Sequence, residues 1–191
     1  MSTKNIMIVG VGGQGTLLAS KMLGYVLLNQ GYDVKVSEVH GMSQRGGSVV
    51  TYVRYGEKVY SPVIDKGEAD VILSFEKLEA ARWLEYLKPG GKMIVNTQKM
   101  EPMPVIIGAK VYPDNLVEKM QAAGADVDAR DFLALANEAG SSKAVNIALM
   151  GRLSVYFPEI SDEKWQEAIA ANVPPRFLEL NKKAFELGRN A

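Results

Sequence analysis

The sequence predicts a three-layer α/β fold built on a mostly parallel sheet. Three observations carry that prediction. The run Ile6-Met7-Ile8-Val9 is apolar at every position, as a strand covered on both faces must be, and it stops at Gly10. A helical stretch follows from about Gly15 to Asn29, and Val34-Lys35-Val36-Ser37 then reads as a second strand. The alternation resumes at Ala69, where Val71-Ile72-Leu73, a helical stretch and Lys92-Met93-Ile94-Val95-Asn96 succeed one another. Strands separated by helical crossovers pair in parallel, so the order is that of a Rossmann-like domain.

Each element has its own warrant. In the first helix Leu17, Leu18, Met22, Leu23, Val26 and Leu27 cover most of the circumference, which requires packing on several sides. Ser48 to Tyr55 is strand-like, and Gly56 followed by Lys58-Val59-Tyr60 predicts an antiparallel hairpin near residues 48–60 that Pro62 ends. Ala80, Trp83, Leu84 and Leu87 have helical spacing, and Lys88-Pro89-Gly90-Gly91 stops that helix. A proline-rich connection runs through Pro102 and Pro104. A helix from about Asp114 to Ala123 ends at Gly124, and a short strand spans Ala125 to Ala129. Ser141-Ser142 can cap a helix reaching about Phe157. A helix from Asp162 shows Trp165 and Ile169 on one face, and Pro174-Pro175 opens a last helix with Phe177, Leu180, Ala184 and Leu187 on its core side. Neither an internal repeat nor a low-complexity linker divides the chain, so residues 1–191 are expected to form one domain.

Composition narrows the chemistry. The 191 residues include 22 Lys+Arg, 22 Asp+Glu, one His and no Cys, with 47% apolar side chains. Without cysteine there is no disulfide, no thiolate metal site and no cysteine-held iron–sulfur cluster. A net charge of zero argues against nucleic acid and anionic membrane as partners, because both reward an excess of basic groups. Lys21 and Arg152 interrupt the two longest apolar stretches before the roughly 18 residues of a spanning helix. With no export signal at Met1 to Asn5, the expected location is the cytoplasm.

Two segments concentrate the candidate chemistry. Gly10-Val11-Gly12-Gly13-Gln14-Gly15 lies between a strand and a helix, where backbone amides and the positive helix end can approach an anion. The same glycines also serve a tight turn and close helix–sheet packing. Thr16 and Leu17 follow Gly15, so the Gly-Lys-Ser/Thr ending of an ATPase phosphate loop is missing. Glu38, at the end of the second strand, stands where dinucleotide-binding folds place a ribose-binding acid. A nicotinamide enzyme also needs a proton-transfer group, and here His40 is the sole imidazole and no tyrosine has a lysine four residues later. A stand-alone NAD(P)- or flavin-binding oxidoreductase nevertheless stays open as the alternative.

The second segment, Glu38-Val39-His40-Gly41-Met42-Ser43-Gln44-Arg45-Gly46-Gly47, holds an acid, an imidazole, an amide, a guanidinium and three glycines with almost nothing to bury. Ordering it costs backbone entropy that a ligand or partner would offset. Arg45 has the planar fork that suits carboxylate or phosphate, and His40 can shuttle a proton.

Together, Gly12-Gly13-Gln14-Gly15 and Ser37 to Gly47 resemble the small subunit, or gamma domain, of the 2-oxoacid:ferredoxin oxidoreductases. The likeness extends to Ala69-Asp70-Val71-Ile72-Leu73 and to Lys143-Ala144-Val145-Asn146 with Gly151, and covers nearly the whole chain. Within that family the His40 to Gly47 wording is most similar to the beta subunit of the indolepyruvate ferredoxin oxidoreductases. The resemblance implies a single pyruvate/ketoisovalerate oxidoreductase gamma-type domain serving anaerobic metabolism. It also implies oxidative decarboxylation of a 2-oxo acid on thiamine diphosphate and Mg, electron transfer through [4Fe-4S] clusters to ferredoxin, and coenzyme A as co-substrate. The chain lacks Cys, and no Gly-Asp-Gly followed by paired asparagines is found, so this chain alone is expected to bind none of these cofactors. They are expected in a larger thiamine- and iron–sulfur-binding alpha subunit, through which ferredoxin is reached. On this reading His40, Gln44 and Arg45 are the candidate catalytic residues. Gly10, Gly12, Gly13, Gln14, Gly15, Glu38, Ser43, Gly46 and Gly47 are candidates for contact with cofactor or co-substrate, and there is no metal ligand.

Overall fold

A computed structural model describes residues 3–38 and 46–191. The strands are β1 (Lys4–Val11), β2 (Asp33–Glu38), β3 (Ser48–Gly56), β4 (Ala69–Ser74), β5 (Leu87–Asn96) and β6 (Asp126–Arg130). The helices are α1 (Thr16–Asn29), α2 (Lys77–Arg82), α3 (Met103–Ile106), α4 (Leu116–Ala122), α5 (Phe132–Ala139), α6 (Val145–Ser154), α7 (Asp162–Asn172) and α8 (Leu178–Arg189). All six strands form one sheet in the order β2-β3-β1-β4-β5-β6. β1, β4, β5 and β6 pair in parallel, whereas β3 is antiparallel to both β1 and β2.

Strand alternation explains the unbroken apolar run of β1. Ile6 and Ile8 belong to a core shared with α1, α6, α7 and α8, while Met7 and Val9 face the second core, which Ala80 of α2 and Met120 of α4 help to close. Helices on both faces of the sheet make the expected three layers. Among the described residues no helix is long and apolar enough to cross a membrane.

The antiparallel pairing differs in place from the expectation. Residues 57–68 carry no strand, so Lys58-Val59-Tyr60 is not the partner of β3. β3 instead runs between β1 and β2, with Val11 opposite Ser48 and Glu38 opposite Thr51. Its buried Val49, Val50, Val53 and Tyr55 suit a strand with neighbours on both sides better than an exposed hairpin. The following segment is held by side chains: the Val59 N–H donates to Asp33 Oδ2 at 2.9 Å, and Arg54 donates to the carbonyls of Ser61 and Val63.

Other boundaries also shift. α2 stops at Arg82, a single 3-10 turn covers Leu84–Tyr86, and Leu87 already begins β5. The Pro89-Gly90-Gly91 stretch is absorbed in a register shift of β4 against β5 rather than ending a helix. Ser141 caps a 3-10 turn, Ser142–Ala144, with its Oγ accepting the Lys143 N–H at 3.3 Å, and α6 starts only at Val145. α5 has no counterpart in the sequence reading, although Asp131 caps it through the Ala134 N–H at 2.9 Å.

In α8 the buried stripe is Asn181, Ala184, Phe185 and Gly188, and Phe177 is 44% exposed. The stripe is rotated from the expected one because α8 crosses α6 backbone to backbone. A Cβ on Gly188 would lie 1.9 Å from the Ala148 carbonyl oxygen, and one on Gly151 would lie 2.0 Å from that of Phe185. Leu17, Tyr25 and Leu28 of α1 are exposed, so that helix is packed on fewer sides than its composition suggested.

Candidate functional site

The strand β1 delivers the glycine turn to the carboxyl edge of the sheet, where α1 begins. Gly13 and Gly15 take φ of +101° and +90°, values that a side chain would strain. Gln14 closes the turn from within: its Oε1 accepts the Val11 N–H at 2.8 Å, and its Nε2 donates to the Phe75 carbonyl at 3.0 Å. The side-chain amide expected at a ligand is therefore engaged inside the protein. Gly10 is likewise a packing position, since an added Cβ would meet Gln14 Oε1 and Phe75 Cβ at 2.9 Å.

The second glycine segment comes to the first. Gly12 donates its N–H to the Gly47 carbonyl at 2.8 Å, and Gly46 donates to the Gly12 carbonyl at 3.1 Å. These bonds continue the β1–β3 pairing beyond Val11 and Ser48. The N-cap residue of α1, Gly15, offers no side-chain cap, and the first turn holds no acid. The N–H groups of Gly13, Gly15, Thr16 and Leu17 find no acceptor among the described residues, which leaves the positive end of a 14-residue helix uncompensated.

Two clefts flank this turn. One, of 270 Å³, is lined by Gly13, Thr16, Leu17, Glu38 and Thr51 among others. Glu38 accepts a hydrogen bond from Ser20 Oγ at 2.5 Å. Because β3 is inserted between β1 and β2, Glu38 stands one strand further from the turn than the ribose-binding acid of a dinucleotide fold, a step of about 4.8 Å. The other cleft, of 560 Å³, lies on the β4 side and is lined by Gly13, Gln98, Met100, Lys143 and Asn146 among others.

A buried polar network shapes the floor beside the larger cleft. Glu76 is 1% exposed and accepts from the N–H groups of Leu78 at 2.6 Å, Glu79 at 2.9 Å and Met100 at 3.2 Å, as well as from the Tyr112 hydroxyl. It thus caps α2 and pins the 97–112 connection to the sheet edge. Burial, together with the Glu76 carboxylate, pushes the Tyr112 hydroxyl far above its ordinary value. Asn96 links the same region by donating to the Phe75 carbonyl at 3.1 Å and accepting from the Phe132 N–H at 3.1 Å. Beside the Gly46-Gly47 end, Glu79 accepts from Ser48 Oγ and pairs with Arg82 at 3.2 Å. Burial raises its carboxyl above the usual range in spite of both contacts.

The structure therefore gathers Gly12, Gly13, Gly15, Glu38, Gly46 and Gly47 around one turn. His40, Ser43, Gln44 and Arg45 lie outside the described residues. Glu38 and Gly46, the described ends on either side of them, both border the turn. Glu76, Glu79 and Asn96 were not singled out from sequence, although Glu76 and Asn96 stand at or just past a strand end, where polar groups in α/β folds gather, and Glu79 lies in the first turn of α2. Among the described residues no group of three or more His, Cys, Asp or Glu side chains is placed to hold a metal.

Comparison with known proteins places the chain and its fold. The chain is 46% identical to indolepyruvate oxidoreductase subunit IorB of Thermococcus kodakarensis, over 100% of this chain and 96% of that one. It is 44% identical to the Pyrococcus horikoshii protein of the same name, with the same coverage. The fold matches the pyruvate oxidoreductase subunit PORC of Thermotoga maritima with a TM-score of 0.76 at 20% identity, over 100% of this chain and 97% of that one. It also matches 31% of a longer chain, the 2-oxoglutarate:ferredoxin oxidoreductase of Magnetococcus marinus, with a TM-score of 0.76 at 21% identity over 100% of this chain. Residues 5–191 match the pyruvate ferredoxin/flavodoxin oxidoreductase family, and the chain belongs to that family.

Proposed function

We propose that this chain is the small subunit of an indolepyruvate (arylpyruvate):ferredoxin oxidoreductase, working in the cytoplasm as one gamma-type domain of residues 1–191. Its larger partner would hold thiamine diphosphate, Mg and the [4Fe-4S] clusters. The observation that carries the reading is end-to-end similarity, at 46% and 44% identity, to two proteins named as that subunit. The absence of cysteine supports the division of labour, because no thiolate here can ligate a cluster. The Magnetococcus marinus enzyme, described with 2-oxoglutarate, coenzyme A and succinyl-CoA bound, carries this fold as a third of one chain, an arrangement in which the same part is fused to its neighbours.

The reaction converts a 2-oxo acid, coenzyme A and two oxidised ferredoxins into an acyl-CoA, carbon dioxide, a proton and two reduced ferredoxins. Bound thiamine diphosphate would supply the electron sink for loss of the carboxylate. This chain's part is positional. The glycine turn presents unpaired amides at the sheet edge, and the described residues Glu38 and Gly46 both border it. Arg45 would bind the 2-oxo acid carboxylate or a coenzyme A phosphate, Gln44 would orient it, and His40 would hold a proton, with the segment closing the partner's site against water.

Reconstitution with the partner tests the assignment. The two-chain complex should reduce ferredoxin with indolepyruvate and coenzyme A, and Arg45→Ala should lower turnover or raise the coenzyme A requirement at least about tenfold. Unchanged kinetics would remove the role of Arg45. Full activity of the isolated chain, or micromolar binding of NAD(P)H or FAD without a partner, would favour the stand-alone oxidoreductase instead.

A further inference from the structure

Apolar side chains left in water concentrate in one stretch of this chain. Met103, Ile106, Ile107 and Val111 are 66%, 62%, 68% and 88% exposed, and none of them belongs to either core. Pro104, Gly108 and Ala109 between them are exposed as well. The stretch is nevertheless ordered by its own backbone. The N–H groups of Val105 and Ile106 donate to the Pro102 carbonyl at 2.8 and 3.1 Å, that of Ile107 to Met103 at 3.0 Å, and that of Lys110 to Pro104 at 2.9 Å. Both ends are tied to one buried carboxylate, since Glu76 accepts the Met100 N–H and the Tyr112 hydroxyl. An apolar knob that is shaped before it meets a partner loses little entropy on docking.

Position and charge narrow the occupant. The knob follows Asn96 at the carboxyl end of β5, and Gln98 and Met100 at its base line the 560 Å³ cleft beside the glycine turn. A surface that covers the knob therefore reaches the same edge of the sheet. Between Glu101 and Asp114 the only charged residue is Lys110, which is exposed and has no carboxylate partner among the described residues. At the foot of the knob Lys77 and Lys99 stand over the Tyr112 ring, 5.8 and 4.8 Å from its centre. A second copy of the chain, docking patch to patch, would bring two such cationic knobs together with no acid between them. An apolar groove that carries a carboxylate fits instead.

We propose that residues 103–111 anchor this chain to its larger partner subunit, seated in an apolar groove with an acid facing Lys110. The inference rests on the functional reading for the existence of that subunit. The exposed isoleucines form the centre of the contact, and Lys110 sets its register.

Calorimetric titration of the full chain with the larger subunit tests it. Ile107→Asp, Val111→Asp and Lys110→Glu should each weaken association at least about tenfold. Their melting temperatures should match that of the unchanged chain, since these side chains lie outside both cores. Tyr60→Asp introduces the same charge at an 89% exposed residue beyond Gly56, at the opposite edge of the sheet, and should leave the affinity as it is. Unchanged affinity in the three knob variants, or an equal loss in Tyr60→Asp, overturns the anchor and leaves the subunit assignment standing. A wild-type chain that dimerises by itself and is made monomeric by Ile107→Asp also overturns it, because the knob then serves a second copy. A wild-type chain that forms no complex with the larger subunit removes the assignment itself, and the anchor with it.

Discussion

Alanine at Gly13 and at Gly15 probes the turn in a way that separates backbone strain from contact. Both glycines have positive φ, +101° and +90°, so either substitution forces an L side chain into the left-handed region at about 1–2 kcal/mol. Their surroundings differ. A Cβ on Gly13 meets nothing within 4 Å, whereas one on Gly15 lies 2.7 Å from Asn146 Nδ2 and 3.3 Å from its Cγ. Asn146 is buried and cannot swing clear freely, which adds an overpacking cost of about 1–3 kcal/mol at Gly15 alone. In a chain of this size each kcal/mol moves the melting temperature by about 2–4 °C. Gly13→Ala should therefore lower it by roughly 2–8 °C, and Gly15→Ala by roughly 2–12 °C more. Scanning calorimetry measures both, and the cycle is completed by Asn146→Ala alone and in the Gly15→Ala background. With Asn146 truncated the extra penalty at Gly15 should vanish. Equal losses at the two glycines, or an extra loss that survives Asn146→Ala, would refute the contact and with it the tight seating of Asn146 on the turn.

Gly188→Ala should destabilise by about 1–3 kcal/mol or more, because its Cβ would collide with the Ala148 carbonyl, whereas Gly24→Ala in α1, with nothing within 4 Å, should stabilise by about 1 kcal/mol; urea midpoints decide. Asp128 supplies the pH dependence. Burial alone would raise its carboxyl, but Arg130 at 2.7 Å and Arg152 at 2.5 Å overrule it and hold it below 3.8. A lowered folded-state value means that the contribution is present above about pH 4 and disappears as pH falls through the folded value. Asp128→Asn should cost about 3 kcal/mol at neutral pH, with the gap to the wild type closing in acid. A gap that stays constant from neutral pH into strong acid would contradict the ion pair.

How much of this was legible in sequence follows from the range of each interaction. Ile6 to Val9 announces a strand buried on both faces because the pattern lies within consecutive residues. The two glycine segments stand out because composition is local too. The partner of β3 did not show, since Gly56 and Lys58-Val59-Tyr60 imitate a hairpin nearby, while the real partners, β1 and β2, precede it in the chain. The face of α8 was misjudged because Phe177 draws attention as an aromatic, and a close backbone crossing at Gly188 leaves no hydrophobic signal. In the candidate site the turn was readable, but the seating of Asn146 on Gly15 joins two ends of the fold that no short window contains.

The reversed strand explains why both glycine segments share one edge. β2 runs parallel to β1, so its last residue, Glu38, reaches the edge where β1 ends and α1 begins. Were β3 also parallel, the chain would have to return to the opposite edge before entering it. Because β3 is antiparallel, Ser48 starts beside Val11, and the connection from Glu38 has both ends at the glycine turn. One strand reversal therefore adds a second polar segment to an edge that already carries unpaired amides. It also displaces Glu38 from the position a dinucleotide ribose needs. The topology that disfavours a nicotinamide site is the same one that brings Glu38 and Gly46, the described ends of the connection, to the glycine turn.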